Sequence, residues 1–235
     1  MARTIVHLVA DPYPPYQYEE SGTIQGVDHD AIVEAFKIGG IEARTRLLTW
    51  DRCMKSMEEG SADGVYQIAK TPERERQFLF SELLRTAKTL LCCLSGASFA
   101  DPILRTSSPI DLEKHAIGVL AGYSYNPVID GMKPPHKIEV GSHELLILGL
   151  RKSRFELALM DQGVAEHLFT KLNINDIVTI EGHALERHLY VAFKKKMEDL
   201  AHVFNSGLKR LRQTPTYRSI FERYGLTATP ISRSS

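Results

Sequence analysis

Short runs of β-branched and other apolar residues alternate with amphipathic segments along almost the whole chain. This alternation limits the fold more than any other feature. Residues 4–9, 41–48 and 63–67 read as strands, and helices open near Gly26 and at Trp50 between them. The pattern restarts with strands at 116–120, 138–140, 155–160, 177–180 and 188–193, interleaved with helices from Ser142, from Asp161 and over 197–211. A further strand is expected at 89–94, and a last helix starts at Pro215 and stops at Gly225. Such a pattern predicts an α/β protein built from largely parallel sheets, arranged as two similar units. A length of 235 residues accommodates one large domain or two small ones.

Some local details are also predicted. Asp28 and Asp30 enter the first helix, where they read as caps rather than metal ligands. The helix after Ser142 is expected to turn Leu145, Leu146, Leu148 and Gly149 inward, and Asp161 to cap the helix that follows it. Residues 96–112 read as a loop rich in Ser, Pro and Asp, and the tail beyond Leu226 as polar. The formal net charge is +0, and the basic clusters at 194–196 and 209–212 fall at or on an amphipathic helix, which argues against nucleic acid or an anionic membrane surface as partner. No apolar run reaches the ~18 residues of a membrane span. Residues 1–4 pass straight into a strand pattern with no secretory apolar region. The chain is therefore expected to be cytoplasmic, or exported with its signal removed. Three cysteines, Cys53, Cys92 and Cys93, lack the count for a disulfide framework and the spacing for zinc; they read as small apolar residues.

One stretch points to chemistry. Thr71-Pro72-Glu73-Arg74-Glu75-Arg76 reads as a helix start, with Thr71 as N-cap and Pro72 at the first position. Arg74 opposes the helix dipole there, which costs a few tenths to about 1 kcal/mol. A rigid two-pronged donor beside first-turn N–H groups suits a carboxylate or phosphate. Pairing of Arg74 with Glu75 or Glu82 is the plainer explanation. Elsewhere, Asp11-Pro12-Tyr13-Pro14-Pro15 forms a stiff aromatic loop after the first strand. Trp50 stands at a strand-to-helix junction, where ligands of α/β folds sit. Gly122-Tyr123-Ser124 is a glycine turn entering a helix, which Ser124 is expected to cap.

Thr71-Pro72-Glu73-Arg74 followed by Phe80-Ser81 resembles the signature of the family 3 bacterial solute-binding proteins, the receptors of polar amino-acid uptake systems. The resemblance runs from about Thr4 to Leu226 and implies a two-lobe, type II periplasmic-binding-protein fold. It places residues 1–86 and 189–235 in one lobe, 87–188 in the other, and a two-segment hinge near 85–90 and 186–191. It further implies that Arg74 and the turn of Gly122, Tyr123 and Ser124 hold a ligand carboxylate while Asp161 holds the ammonium. Tyr13 and Trp50 would enclose the side chain, with Asp11 beside them to read it. Ligand, bound in the cleft, would favour a closed state. The chain departs from the family at Gln67-Ile68-Ala69-Lys70, where Ala69 replaces a common hydroxyl. Backbone groups or Gln67 are left to serve in its place.

The function implied is capture of an amino acid, or a similar small zwitterion, for ABC-type uptake. The expected partners are that ligand and an inner-membrane ABC permease. The protein would be a periplasmic monomer with no cofactor, metal or nucleic acid. Three other readings stay open: a dehydratase-like enzyme on the same scaffold with His29 or His188 as acid, the sensing domain of a signalling protein, and a receptor for a non-amino-acid solute.

Overall fold

The structure is a computed structural model that describes residues 5–97 and 114–226, apart from the side chains of 181–183. The greater part of the expected loop, from residue 98 to 112, lies outside the described residues, as do residues 1–4 and the polar tail after Leu226. The first strands and helices are β1 (Ile5–Ala10), β2 (Tyr18–Glu20), β3 (Thr23–Gln25), α1 (Val27–Ile38), β4 (Glu42–Leu47) and α2 (Trp50–Glu58). They are followed by β5 (Gly64–Ala69), α3 (Pro72–Gln77), β6 (Phe78–Phe80) and β7 (Arg85–Leu94). Next come β8 (Ile117–Leu120), α4 (Pro127–Gly131), β9 (Lys137–Val140), α5 (His143–Arg151), β10 (Leu157–Asp161) and α6 (Gln162–Lys171). The described chain closes with β11 (Ile177–Lys194), α7 (Glu198–Leu211) and α8 (Pro215–Arg223).

Two compact units divide the chain: Met1–Thr86 with His188–Ser235, and Ala87–Arg187. In the first unit the strands run in the order β4-β1-β5-β11. β1 is parallel to both β4 and β5, with α1 and α2 as the crossover helices. β5 and β6 each pair antiparallel with β11. The core of this unit contains an aromatic cluster. Phe36 of α1 lies 5.0 Å from Phe204 of α7 and 6.3 Å from Phe193 of β11, ring centre to ring centre. In the second unit the order is β7-β10-β8-β9, with β8 parallel to β9 and β10 and β7 antiparallel to β10. Phe155 is buried there, and a Cβ on Gly118 would stand 2.5 Å from its ring. A Cβ on Gly149 would meet the same ring. The chain passes between the units along β7 and β11.

Three expectations need correction. Strands expected at 177–180 and 188–193 are one strand, β11, because ladder pairing is a property of the backbone and survives a gap in apolar side chains. The inward face of α5 consists of His143, Leu146, Ile147, Gly149 and Leu150, whereas Leu145 and Leu148 are nearly half exposed. Nearly every position of this helix is apolar, so periodicity alone leaves its rotation undetermined. The cap of α1 is Gly26 with no side-chain bond, so Asp28 and Asp30 are not caps. Asp30 instead accepts from Arg223 and from the Tyr224 hydroxyl, which ties the end of α8 to the start of α1. All three cysteines are free and buried, the small apolar role expected of them. Among the described residues no helix is long and apolar enough to cross a membrane.

The close approach of α1 and α7 depends on Gly207, where a Cβ would collide with the Ala35 carbonyl. Backbone cannot move aside as a flexible side chain can. Gly207→Ala is therefore expected to destabilise the protein by about 3 kcal/mol in urea titrations. Gly131→Ala, with open space around the new methyl, stays within about 0.5 kcal/mol of wild type.

Candidate functional site

In the first unit, α3 starts as its sequence requires. Thr71 caps it by accepting from the Arg74 N–H at 3.2 Å, and Pro72 occupies the first turn. The Arg74 backbone donor is thus already engaged. Its side chain reaches back to β5, where Nη1 donates to the Ala69 carbonyl at 3.1 Å. The guanidinium carbon lies 5.3 Å from the centre of the Trp50 ring. Trp50, Ala69 and Arg74 are therefore brought together from three separate segments, with the guanidinium fork oriented by a carbonyl and an aromatic face. Ser81, from the same motif, is buried and structural: its backbone N–H donates to the Val191 carbonyl, and its hydroxyl accepts from the Val191 N–H.

Gln67 occupies a different environment. It sits at the register shift where β5 pairs with β11, in the left-handed region with φ +60°. A non-glycine residue held there costs of order 1 kcal/mol, and such residues collect at functional sites. Its amide donates to the Asp28 carboxylate at 3.2 Å. Asp28 is 2% exposed and receives Arg85 Nε at 2.8 and 3.1 Å. The Arg85 guanidinium also lies over the Tyr16 ring, 3.5 Å from its centre. Tyr13 is buried, 6.0 Å from Tyr16 between ring centres. The main-chain carbonyl of Asp11 accepts from Gln17, while its carboxylate charge helps to raise the Cys53 thiol, which burial above all pushes up to about 12. Of the two histidines named for an enzyme, His29 lies 3.4 Å from the Tyr66 hydroxyl, and burial lowers its pKa. His188 lies 3.3 Å from the Thr86 hydroxyl.

In the second unit, Gly122 adopts φ +75°, as the tight turn after β8 demands of a glycine. Ser124 does not cap α4. Asn126 does, accepting from the Ile129 N–H at 2.8 Å, because Pro127 at the first helical position makes its predecessor the cap. The Ser124 hydroxyl donates instead to Asp130 at 2.6 Å, and the Tyr125 N–H donates to the same carboxylate at 2.9 Å. Asp161 caps α6 as expected, with one carboxylate oxygen accepting from Gly163 and Val164. Two further residues escaped the sequence reading. Arg187 is 5% exposed and donates Nε to the Ser124 carbonyl at 3.0 Å. His143 is buried at the start of α5, where it feels the charges of both Asp161 and Arg187. Both stand among polar neighbours in the sequence, Arg187 between Glu186 and His188 and His143 between Ser142 and Glu144, so nothing local set them apart. Among the described residues, no group of three or more His, Cys, Asp or Glu could hold a metal ion.

Each unit thus carries polar side chains held in place by backbone carbonyls, aromatic faces and buried carboxylates. The chain belongs to the bacterial extracellular solute-binding proteins, family 3, which match it over residues 5–227. It is similar to the "Probable histidine-binding protein" of Campylobacter jejuni subsp. jejuni serotype O:2, at 22% identity over 92% of this chain and 83% of that one. It is likewise similar to the lysine/arginine/ornithine-binding periplasmic protein of Escherichia coli K12, at 23% identity over 90% of this chain and 84% of that one. Among solved structures, the arginine-, lysine-, histidine-binding protein ArtJ of Geobacillus stearothermophilus superposes with a TM-score of 0.80 at 20% identity, covering 97% of each chain. The fold is thus the two-lobe α/β fold of type II periplasmic binding proteins.

Burial gives His143 a measurable signature. Desolvation, the largest cause, lowers the His143 pKa from 6.5 to about 4 despite the Asp161 carboxylate nearby. The unfolded chain takes up this proton near 6.5, the folded protein only near 4. Between those values the unfolded state binds more protons, so this contribution is complete above the upper value and is lost as pH falls. Wild type is expected to lose about 2 kcal/mol more than His143→Gln between pH 6.5 and 5, as measured by denaturant titration at each pH.

Proposed function

We propose that this protein is the receptor of an uptake system for an amino acid with a cationic side chain. In this reading it works in the periplasm as a monomer and hands its ligand, unchanged, to an inner-membrane ABC permease. The grouping of Trp50, Ala69 and Arg74 carries the proposal. An arginine fork oriented by a carbonyl and an indole face is a preorganised receptor for the ligand carboxylate. The turn of Gly122, Tyr123 and Ser124 assists it, and Asp161 takes the ammonium while still capping α6, since a carboxylate has acceptor sites to spare. Tyr13 and Trp50 enclose the ligand side chain, and the Asp11 carboxylate complements its positive charge. Relatives named for binding histidine, lysine, arginine and ornithine support a cation at that end. Residues 1–86 and 189–235 act as one lobe and 87–188 as the other. The hinge lies in the crossing segments near 85–90 and 186–191. Ligand contacts made from both lobes favour the closed state by their differential affinity.

Gln67 enters this scheme as a brace. Its side chain is engaged with Asp28, so the hydroxyl absent at Ala69 is replaced by backbone groups of the β5 end. Calorimetry with L-arginine, L-lysine and L-histidine tests the reading. At least one is expected to bind wild type, and Arg74→Ala to weaken that binding about 10- to 150-fold, the loss of one charge-assisted interaction of roughly 1.5–3 kcal/mol. Undiminished affinity in a folded Arg74→Ala protein refutes it.

A further inference from the structure

The turn at 121–126 in the second unit is fastened from three sides. Asp130 accepts from the Ser124 hydroxyl and from the Tyr125 N–H. The Tyr125 hydroxyl accepts from the Leu120 N–H at 3.0 Å, which closes the turn onto the end of β8. The third fastening is Arg187. It donates Nε to the Ser124 carbonyl, and its guanidinium carbon lies 5.2 Å from the Tyr123 ring centre and 5.0 Å from that of Tyr125. Arg187 belongs to no part of the turn. It is the last residue of its unit on the crossing strand β11.

The first unit shows the same device with different partners. Arg85 on the other crossing strand is also buried, also lies over a tyrosine, and binds Asp28 at the start of α1. Each crossing strand thus carries a buried arginine within two residues of the unit boundary, fixed to a segment near candidate ligand contacts. Arginine suits this task and lysine does not. A planar guanidinium can lie against rings while its Nε–H, fixed in direction, meets a carbonyl.

We propose that Arg187 is a positioning residue for ligand capture. It holds the turn of Gly122, Tyr123 and Ser124 in its ligand-competent shape without itself touching the ligand. This rests on the receptor reading above. Its physical content is preorganisation. Without the brace the turn samples several shapes, and only the competent fraction can accept ligand. Apparent affinity falls by that fraction. The loss appears in the association rate, because a complex once formed has its normal contacts and dissociates at its normal rate.

Surface plasmon resonance on the full chain, with L-arginine, L-lysine and L-histidine as probes, tests this. Arg187→Lys is expected to slow association about tenfold and leave dissociation within about twofold of wild type. Tyr125→Phe keeps the ring but removes the hydroxyl that receives the Leu120 N–H. It is expected to slow association in the same way by a smaller factor, and it stands as the test should Arg187→Lys not fold. Faster dissociation with unchanged association overturns the inference by making Arg187 a direct ligand contact. Unchanged rates in the folded variants overturn it as well. The Arg74→Ala protein separates the two levels. If it binds as wild type, or wild type binds none of the three probes, the receptor reading fails and takes this inference with it. If Arg74→Ala is crippled while Arg187→Lys and Tyr125→Phe bind like wild type, this inference fails alone.

Discussion

A guanidinium withdrawn from water is stable only where its charge is met, and in the first unit Arg85 and Asp28 meet at 2.8 Å with both side chains almost fully buried. Tyr16 covers the cation, and Gln67 donates to the anion. Four segments converge on this one pair: the proline-rich loop, the first turn of α1, the bulge in β5 and the start of β7. Replacing such a pair by apolar residues can leave total stability little changed, whereas removing one partner costs about 3–5 kcal/mol. Its contribution is therefore arrangement more than net stability. The segments it joins include those that bear Tyr13 and Ala69, and Ala69 in turn orients Arg74.

The second unit achieves a comparable arrangement with neutral partners. Arg187 meets a carbonyl and two tyrosine rings instead of forming a close ion pair of the Asp28 kind. Nearby, His143 remains neutral at ordinary pH because burial disfavours its charged form. The Asp161 carboxylate is spent partly on the N-terminus of α6, where it satisfies two backbone donors. Around Arg187, direction is fixed by a carbonyl dipole and two π faces.

Family membership at about 20% identity follows from what the scaffold asks of its sequence. A βαβ unit needs apolar period, a few glycine turns and helix caps, and many sequences supply these. The proposed ligand contacts sit on short segments at strand ends, where single residues can change. Ala69 is such a change. The hydroxyl that the resemblance to the family leads one to expect is absent there, and its backbone carbonyl receives Arg74.

Much of this was legible in the chain itself. Strand and helix order, the Thr71 and Asp161 caps and the burial of the cysteines follow from local rules that act within a few residues. Tertiary contacts decided the rest. Helix α5 could have turned Leu145 inward as easily as Ile147 until Phe155 and the strands beneath selected a face. Asp28, to all local appearance a cap, became half of a buried ion pair, because a carboxylate follows the strongest donor that folding brings to it and Arg85 is 57 residues away. Arg187 looked like one more charge in a strand. Sequence position says which groups a residue owns, but only the assembled fold says which of them are cut off from water and so must find each other.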